Sequence, residues 1–128
     1  MIAQPQYFPE ITPEEYLKWE AKQEYRNEYI DGEIIAMTGG TIAHTKIYLN
    51  LYRALYPHLS SRSCDAYVAD VKVQGNKNSR YFYPDLVVTC DSEDLKANDL
   101  IKNPTVIVEV LSPSTANYDR TRKLKYYR

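Results

Sequence analysis

The segment Thr105-Val-Ile-Val-Glu-Val-Leu111 constrains the fold more than any other part of the chain. Seven residues that are almost wholly apolar and β-branched read as a strand, and a strand without alternation reads as central and buried. Inside it sits Glu109. An unpaired carboxylate costs several kcal/mol to bury, so an acid at that place needs a partner or a metal ion. A chain of 128 residues with 44% apolar and 26% charged residues has material for one globular core around such a strand.

The remaining elements follow from local signals. Thr12-Pro13-Glu14-Glu15 opens a helix to about Lys22, with Thr as N-cap, Pro in the first turn and Glu three residues after the cap. Glu28–Ile30 and Glu33–Met37 flank Asp31-Gly32, the dipeptide of a tight hairpin. A second helix is expected from Ile42 to Leu59, where Ile47, Leu51, Leu55 and Leu59 recur on one stripe. Strands are expected over Cys64–Val73 and, interrupted by Pro84, over Arg80–Cys90. A polar connection from Asp91 to Pro104 leads to the Thr105 strand. A last helical pattern opens near Asn117–Asp119 and is still running at Arg128, with no terminator. The expectation is a single domain, 1–128, with an N-terminal helix and hairpin (1–40) and a core (41–128), cut short at its C-terminus.

Charge is uneven. Residues 1–33 carry eight acids against three bases, and residues 118–128 five bases against one acid, although the total is only −1. Near-neutrality argues against indiscriminate coating of nucleic acid but leaves room for a local basic groove. No apolar run is long enough to cross a membrane, and MIAQPQYFPE has neither part of a secretory signal. A cytoplasmic location is expected, with Cys64 and Cys90 as buried thiols. Two Cys and two His without close spacing exclude a zinc-finger framework.

Asp85, in Tyr83-Pro-Asp-Leu-Val-Val88, is a second acid at the edge of an apolar stretch. If the Arg80 and Thr105 strands are neighbours, Asp85 and Glu109 can project from one face. Two such carboxylates repel unless a cation lies between them, and oxygen ligands suit Mg²⁺ or Mn²⁺. Taken singly, Asp85 also reads as a strand-end residue and Glu109 as the partner of a buried base.

Pro84-Asp85, then Glu109-Val110-Leu111 24 residues after the aspartate, resembles the PD-(D/E)XK nuclease signature. TPEEYLKWE, EYIDGEIIAM, HTKIYLNL, YPDLVV, VIVEVLSPST and YDRTRKLKYY, in that order, resemble one bacterial restriction endonuclease family of that superfamily, over residues 12–128. The resemblance implies a restriction endonuclease-like α+β (α/β) fold: a mixed β-sheet flanked by helices, αβββα, lacking its last strand here. It implies a Mg²⁺- or Mn²⁺-dependent endonuclease acting on DNA. Asp85, Glu109 and the Val110 carbonyl would hold the ion. The superfamily's Lys is replaced by Leu111, and Lys123 on the following helix takes its place, with Lys125 as competitor about 200° around that helix. His44 would be the polar residue that the first core helix turns toward the site. Glu28, Asp31 and Asp70 are weaker candidates.

Other readings of the same residues remain. Lys123 also fits an i,i+4 partner of Asp119, and His44 a capping or core residue. A truncated, inactive relic of the same fold is one alternative. An interaction or oligomerisation module is another, since thirteen Tyr suit interfaces and the acidic and basic ends would pair between subunits of a homodimer. A small-phosphoester hydrolase is disfavoured by the lack of a Gly-rich cradle.

Overall fold

The computed structural model describes residues 2–6, 11–38, 40–75 and 79–111. The order is β1 (Ile2–Gln6), α1 (Pro13–Glu20), β2 (Asn27–Ile30), β3 (Glu33–Thr38), α2 (Ile42–Ser60), β4 (Asp65–Val68), β5 (Lys72–Gln74), β6 (Arg80–Phe82), β7 (Leu86–Thr89), α3 (Ser92–Leu95), β8 (Leu100–Ile101) and β9 (Val106–Val108). Pairing is mixed: β5 and β8 run parallel, while the other described pairs are antiparallel. The chain forms two compact units. One takes described residues from Met1–Gly40 and Gln74–Phe82, the other Thr41–Val73 and Tyr83–Val110.

In the first unit the strand order is β1-β3-β2-β6. Ile30 pairs with Glu33, so Asp31 and Gly32 alone make the β2–β3 turn, with φ of 47° and 96°. Ser79 and Arg80 donate to the Asp31 carboxylate at 2.6 and 3.1 Å, tying that turn to the start of β6. The Thr12–Glu15 capping box forms at the head of α1 as expected. Buried Tyr16 of α1 stacks on Tyr29 of β2 at 4.8 Å and on Tyr81 of β6 at 5.5 Å. Buried Glu20 accepts from the Asn27 backbone and side-chain amides at 2.8 and 3.0 Å. Strand β1 was not foreseen; it is a partner of β3 at the sheet edge, where Pro5 is tolerated.

In the second unit β7 lies between β4 and β9. Its side chains alternate between two cores. Leu86 and Val88 join Ala66 beneath Leu51, Tyr52, Leu55 and Leu59 of α2. Val87 turns the other way, to Val73 of β5 and Ile101 of β8.

Two of the expected strands need correction. The strand foreseen over Cys64–Val73 is two strands, β4 and β5, because Ala69 takes φ of 59° and breaks the run. The strand expected over Arg80–Cys90 with an interruption at Pro84 is broken there, into β6 and β7, parted at Tyr83-Pro84-Asp85. The Thr105 strand contracts to β9, which among the described residues pairs with β7 only and leaves Val106 46% exposed. The buried central strand is β7. The polar connection from Asp91 also carries more order than foreseen. Buried Asp94 in α3 accepts from Thr89 Oγ1 (2.8 Å) and from the amides of Lys102 and Asn103 (both 2.9 Å), which organises the approach to β9. The helix expected after Asn117 lies outside the described residues.

Cys64 and Cys90 form a disulfide, with Cα atoms 4.2 Å apart, rather than two buried thiols. The register Asp65↔Thr89, carried one residue outward, sets them opposite each other. Closing a loop across a sequence separation of 26 limits the unfolded chain, an effect of about 3.5 kcal/mol. Cys64→Ser with Cys90→Ser should lower the urea unfolding free energy by up to that amount, and alkylation of the untreated protein should label neither cysteine.

Burial raises the pKa of the Tyr29, Tyr67 and Tyr81 hydroxyls above 10.0. The folded state therefore holds these protons more tightly than the unfolded chain. Their contribution to stability is complete below pH 10 and is lost as pH rises through the folded values. Tyr81→Phe should shift the alkaline unfolding midpoint, followed by circular dichroism, to higher pH.

Candidate active site

The N-terminus of α2 fixes the first residue of the site. Thr41 caps the helix by accepting from the His44 amide at 3.1 Å. His44 is the one residue of the helix that is buried, at 8% exposure, and its ring meets the Tyr48 ring edge-on, one turn along. Its Nε2 lies 3.0 Å from Asp85 Oδ2. An ionised carboxylate only accepts, so the proton of this bond sits on Nε2.

Asp85 stands where the chain turns into β7. Pro84 before it has no N–H to give to a ladder. The Asp85 carbonyl accepts from Ala69 at 3.0 Å, extending the β4–β7 pairing. Its side chain takes the Val110 amide at 2.7 Å, again on Oδ2. Among the described residues, both bonds to the Asp85 carboxylate fall on Oδ2 and none on Oδ1, although the residue is only 6% exposed. Among the described residues one oxygen is thus held by two donors while the other has none.

Glu109 is placed by the β7–β9 register. Leu86 pairs with Val108, so Asp85 and Glu109 are the next residues at the same end of adjacent antiparallel strands. Glu109 is partly buried. Among the described residues no three His, Cys, Asp or Glu side chains are gathered so as to hold a metal ion. Both acids and both bonded donors belong to the second unit. Lys123 and its competitor Lys125 lie outside the described residues. Asp70 lies at the bend after Ala69 and is exposed. Glu28, fully buried in β2, and Asp31, at the hairpin turn, belong to the first unit.

The Val110 amide has a part that no sequence signal announced. Val110 was foreseen through its carbonyl alone, but its N–H is what anchors Asp85. The bond joins residues 25 apart and depends on the strand register, which no local pattern encodes.

A family model described as "Uma2: Putative restriction endonuclease" matches residues 13–128. The chain belongs to the Uma2 family. It is 43% identical over 120 residues to the Synechocystis sp. protein slr1290, covering 94% of this chain and 63% of that protein. It is 33% identical over 120 residues to sll1609 of the same organism, covering 92% of this chain and 68% of that one. A crystal structure described as that of a "putative nuclease belonging to DUF820", from Anabaena variabilis, superposes with a TM-score of 0.75 at 22% identity, over 91% of this chain and 67% of that one. The mixed α+β architecture is therefore shared with that protein. The chain spans roughly two thirds of the length of each of these relatives.

Removing the imidazole leaves Asp85 Oδ2 with one donor in place of two, and removing the carboxylate takes away the acceptor that His44 Nε2 has here. His44→Ala should cost about 1–3 kcal/mol of stability. A double-mutant cycle with Asp85→Ala, read by urea unfolding, should show non-additivity of about 0.5–3 kcal/mol.

Proposed function

We propose that this Uma2 chain is a metal-dependent endonuclease that hydrolyses DNA phosphodiester bonds. The observation that carries the reading is the Asp85 carboxylate, buried, held at Oδ2 by His44 and Val110, and unbonded at Oδ1 among the described residues. A structural aspartate at this depth has both oxygens satisfied as a rule. Glu109 as its neighbour supplies a second hard oxygen donor, and the absence of cysteine or a second histidine from the set fits Mg²⁺ or Mn²⁺ better than zinc. The family description and the relationship to the Anabaena protein support the same reading.

In this reading Asp85 Oδ1, Glu109 and the Val110 carbonyl hold the ion. A bound divalent cation would supply charge neutralisation at the phosphate and a more acidic water. The chain's own residues do the rest. His44 uses its Nε2–H on Asp85, so it acts as a positioning residue that keeps Oδ1 presented, not as a ligand through that nitrogen. Lys123 orients the attacking water and stabilises negative charge developing on the phosphate oxygens. The two carboxylates alone would repel the substrate, so activity requires the cation and the lysine together.

Calorimetric titration with Mn²⁺ should give saturable binding that is lost in Asp85→Asn and in Glu109→Gln. Nicking of supercoiled plasmid should fall at least about 100-fold in both variants. Lys123→Ala should lose nicking while keeping Mn²⁺ binding. A folded protein that binds no divalent ion would sink the proposal and favour the inactive or interaction-module reading.

A further inference from the structure

Between Glu33 and Asp65 the sequence has no acid at all, while it carries Lys46, Arg53 and Arg62 in addition to His44 and His58. Helix α2 occupies most of this stretch. Solvated helix faces ordinarily interleave both signs and gain from i,i+4 ion pairs, which α2 cannot form. The acid-free face is also ordered. The partly buried positions Tyr48, Leu51, Tyr52, Leu55 and Leu59 form the sheet-facing stripe. Lys46, Asn50 and Arg53 fall about opposite it and are exposed. The exposed apolar residues Ile42 (88%), Leu49 (40%) and Tyr56 (51%), spaced by sevens, run beside them. Among the described residues neither Lys46 nor Arg53 meets a carboxylate; Arg53 Nη1 donates to Asn50 Oδ1 at 3.1 Å, one turn back. The same helix begins at the His44–Asp85 pair, in the same unit.

We infer that the outward face of α2 is a track for a nucleic-acid backbone leading away from Asp85. This rests on the endonuclease reading and adds to it the surface that holds the substrate. Lys46 and Arg53 are seven residues, about 10 Å, apart along the axis. One strand of duplex DNA presents a phosphate about every 3.4 Å of its axis, so the two cations match phosphates about three apart. Tyr56 and Leu49 lie where sugars and bases would pass. A second copy of the chain fits this face less well, because α2 against α2 sets Lys46 and Arg53 against like charges with no carboxylate to offset them.

The test is fluorescence anisotropy of a labelled duplex of about 20 base pairs, with the full chain in EDTA to prevent metal-dependent cleavage, across a NaCl series. Lys46→Gln with Arg53→Gln keeps helix propensity. It should weaken binding roughly tenfold and reduce the log–log salt slope by about 2. Lys46→Glu with Arg53→Glu should weaken it further, and Lys18→Gln with Lys22→Gln on and after α1 should leave it unchanged. Wild-type affinity and slope in the α2 variants would overturn the inference, as would a change in sedimentation with DNA affinity intact, which would give the face to a second copy. If the unmutated chain binds duplex and nicks plasmid while the α2 variants bind equally well, this inference alone fails. If the unmutated chain does neither, the endonuclease reading fails first and takes the track with it.

Discussion

Everything in the second unit depends on the burial of β7 between β4 and β9. All four of its residues are buried, and its backbone is paired on both edges. Its side chains divide between the α2 layer and the β5–β8 layer, so a change in its register would turn both cores inside out. That rigidity is inherited by Asp85, the residue immediately before it. A carboxylate at the mouth of so constrained a strand has little freedom, and two donors from α2 and from the end of β9 remove what is left.

The arrangement divides labour within one carboxylate. Orientation falls on Oδ2, held by a ring N–H and a backbone N–H. In the proposed function, ligand binding would fall to Oδ1. A side chain already in place loses no rotamer freedom when a cation arrives, which is the physical benefit of preorganisation. His44 is the single buried residue of a nineteen-residue helix because its ring is directed at the site and not into the apolar layer beneath α2. The outward side of that helix follows a different rule, with cations and no acids. If the proposed substrate is a polyanion, the cations of α2 would offset the carboxylates of the site beside them.

The first unit is held by different means. Three tyrosines stack across α1, β2 and β6, and their hydroxyls serve as polar tips: Tyr16 donates to the Asn27 carbonyl and Tyr29 to that of Ile11, the latter at 2.6 Å. The tyrosine richness that suggested an interface is in part a core whose rings bury apolar area while two of their hydroxyls bond backbone carbonyls.

The sequence by itself determined what local chemistry controls. Thr12 to Glu15 specified a helix start, Asp31-Gly32 a two-residue turn, and the four-residue spacing of Leu51, Leu55 and Leu59 the sheet-facing stripe of α2, although Ile47, expected on the same stripe, is 55% exposed. Each is decided within a few residues, so each was legible. The candidate acids were legible too, because an acid in an apolar run is anomalous wherever the run goes. Tertiary structure alone decided which strand is central, that Ala69 cuts the Cys64–Val73 run in two, that Cys64 faces Cys90, and that the Val110 amide, not only its carbonyl, serves Asp85. These outcomes depend on register between distant segments. Register is set by how whole faces pack, a property that no window of the sequence contains.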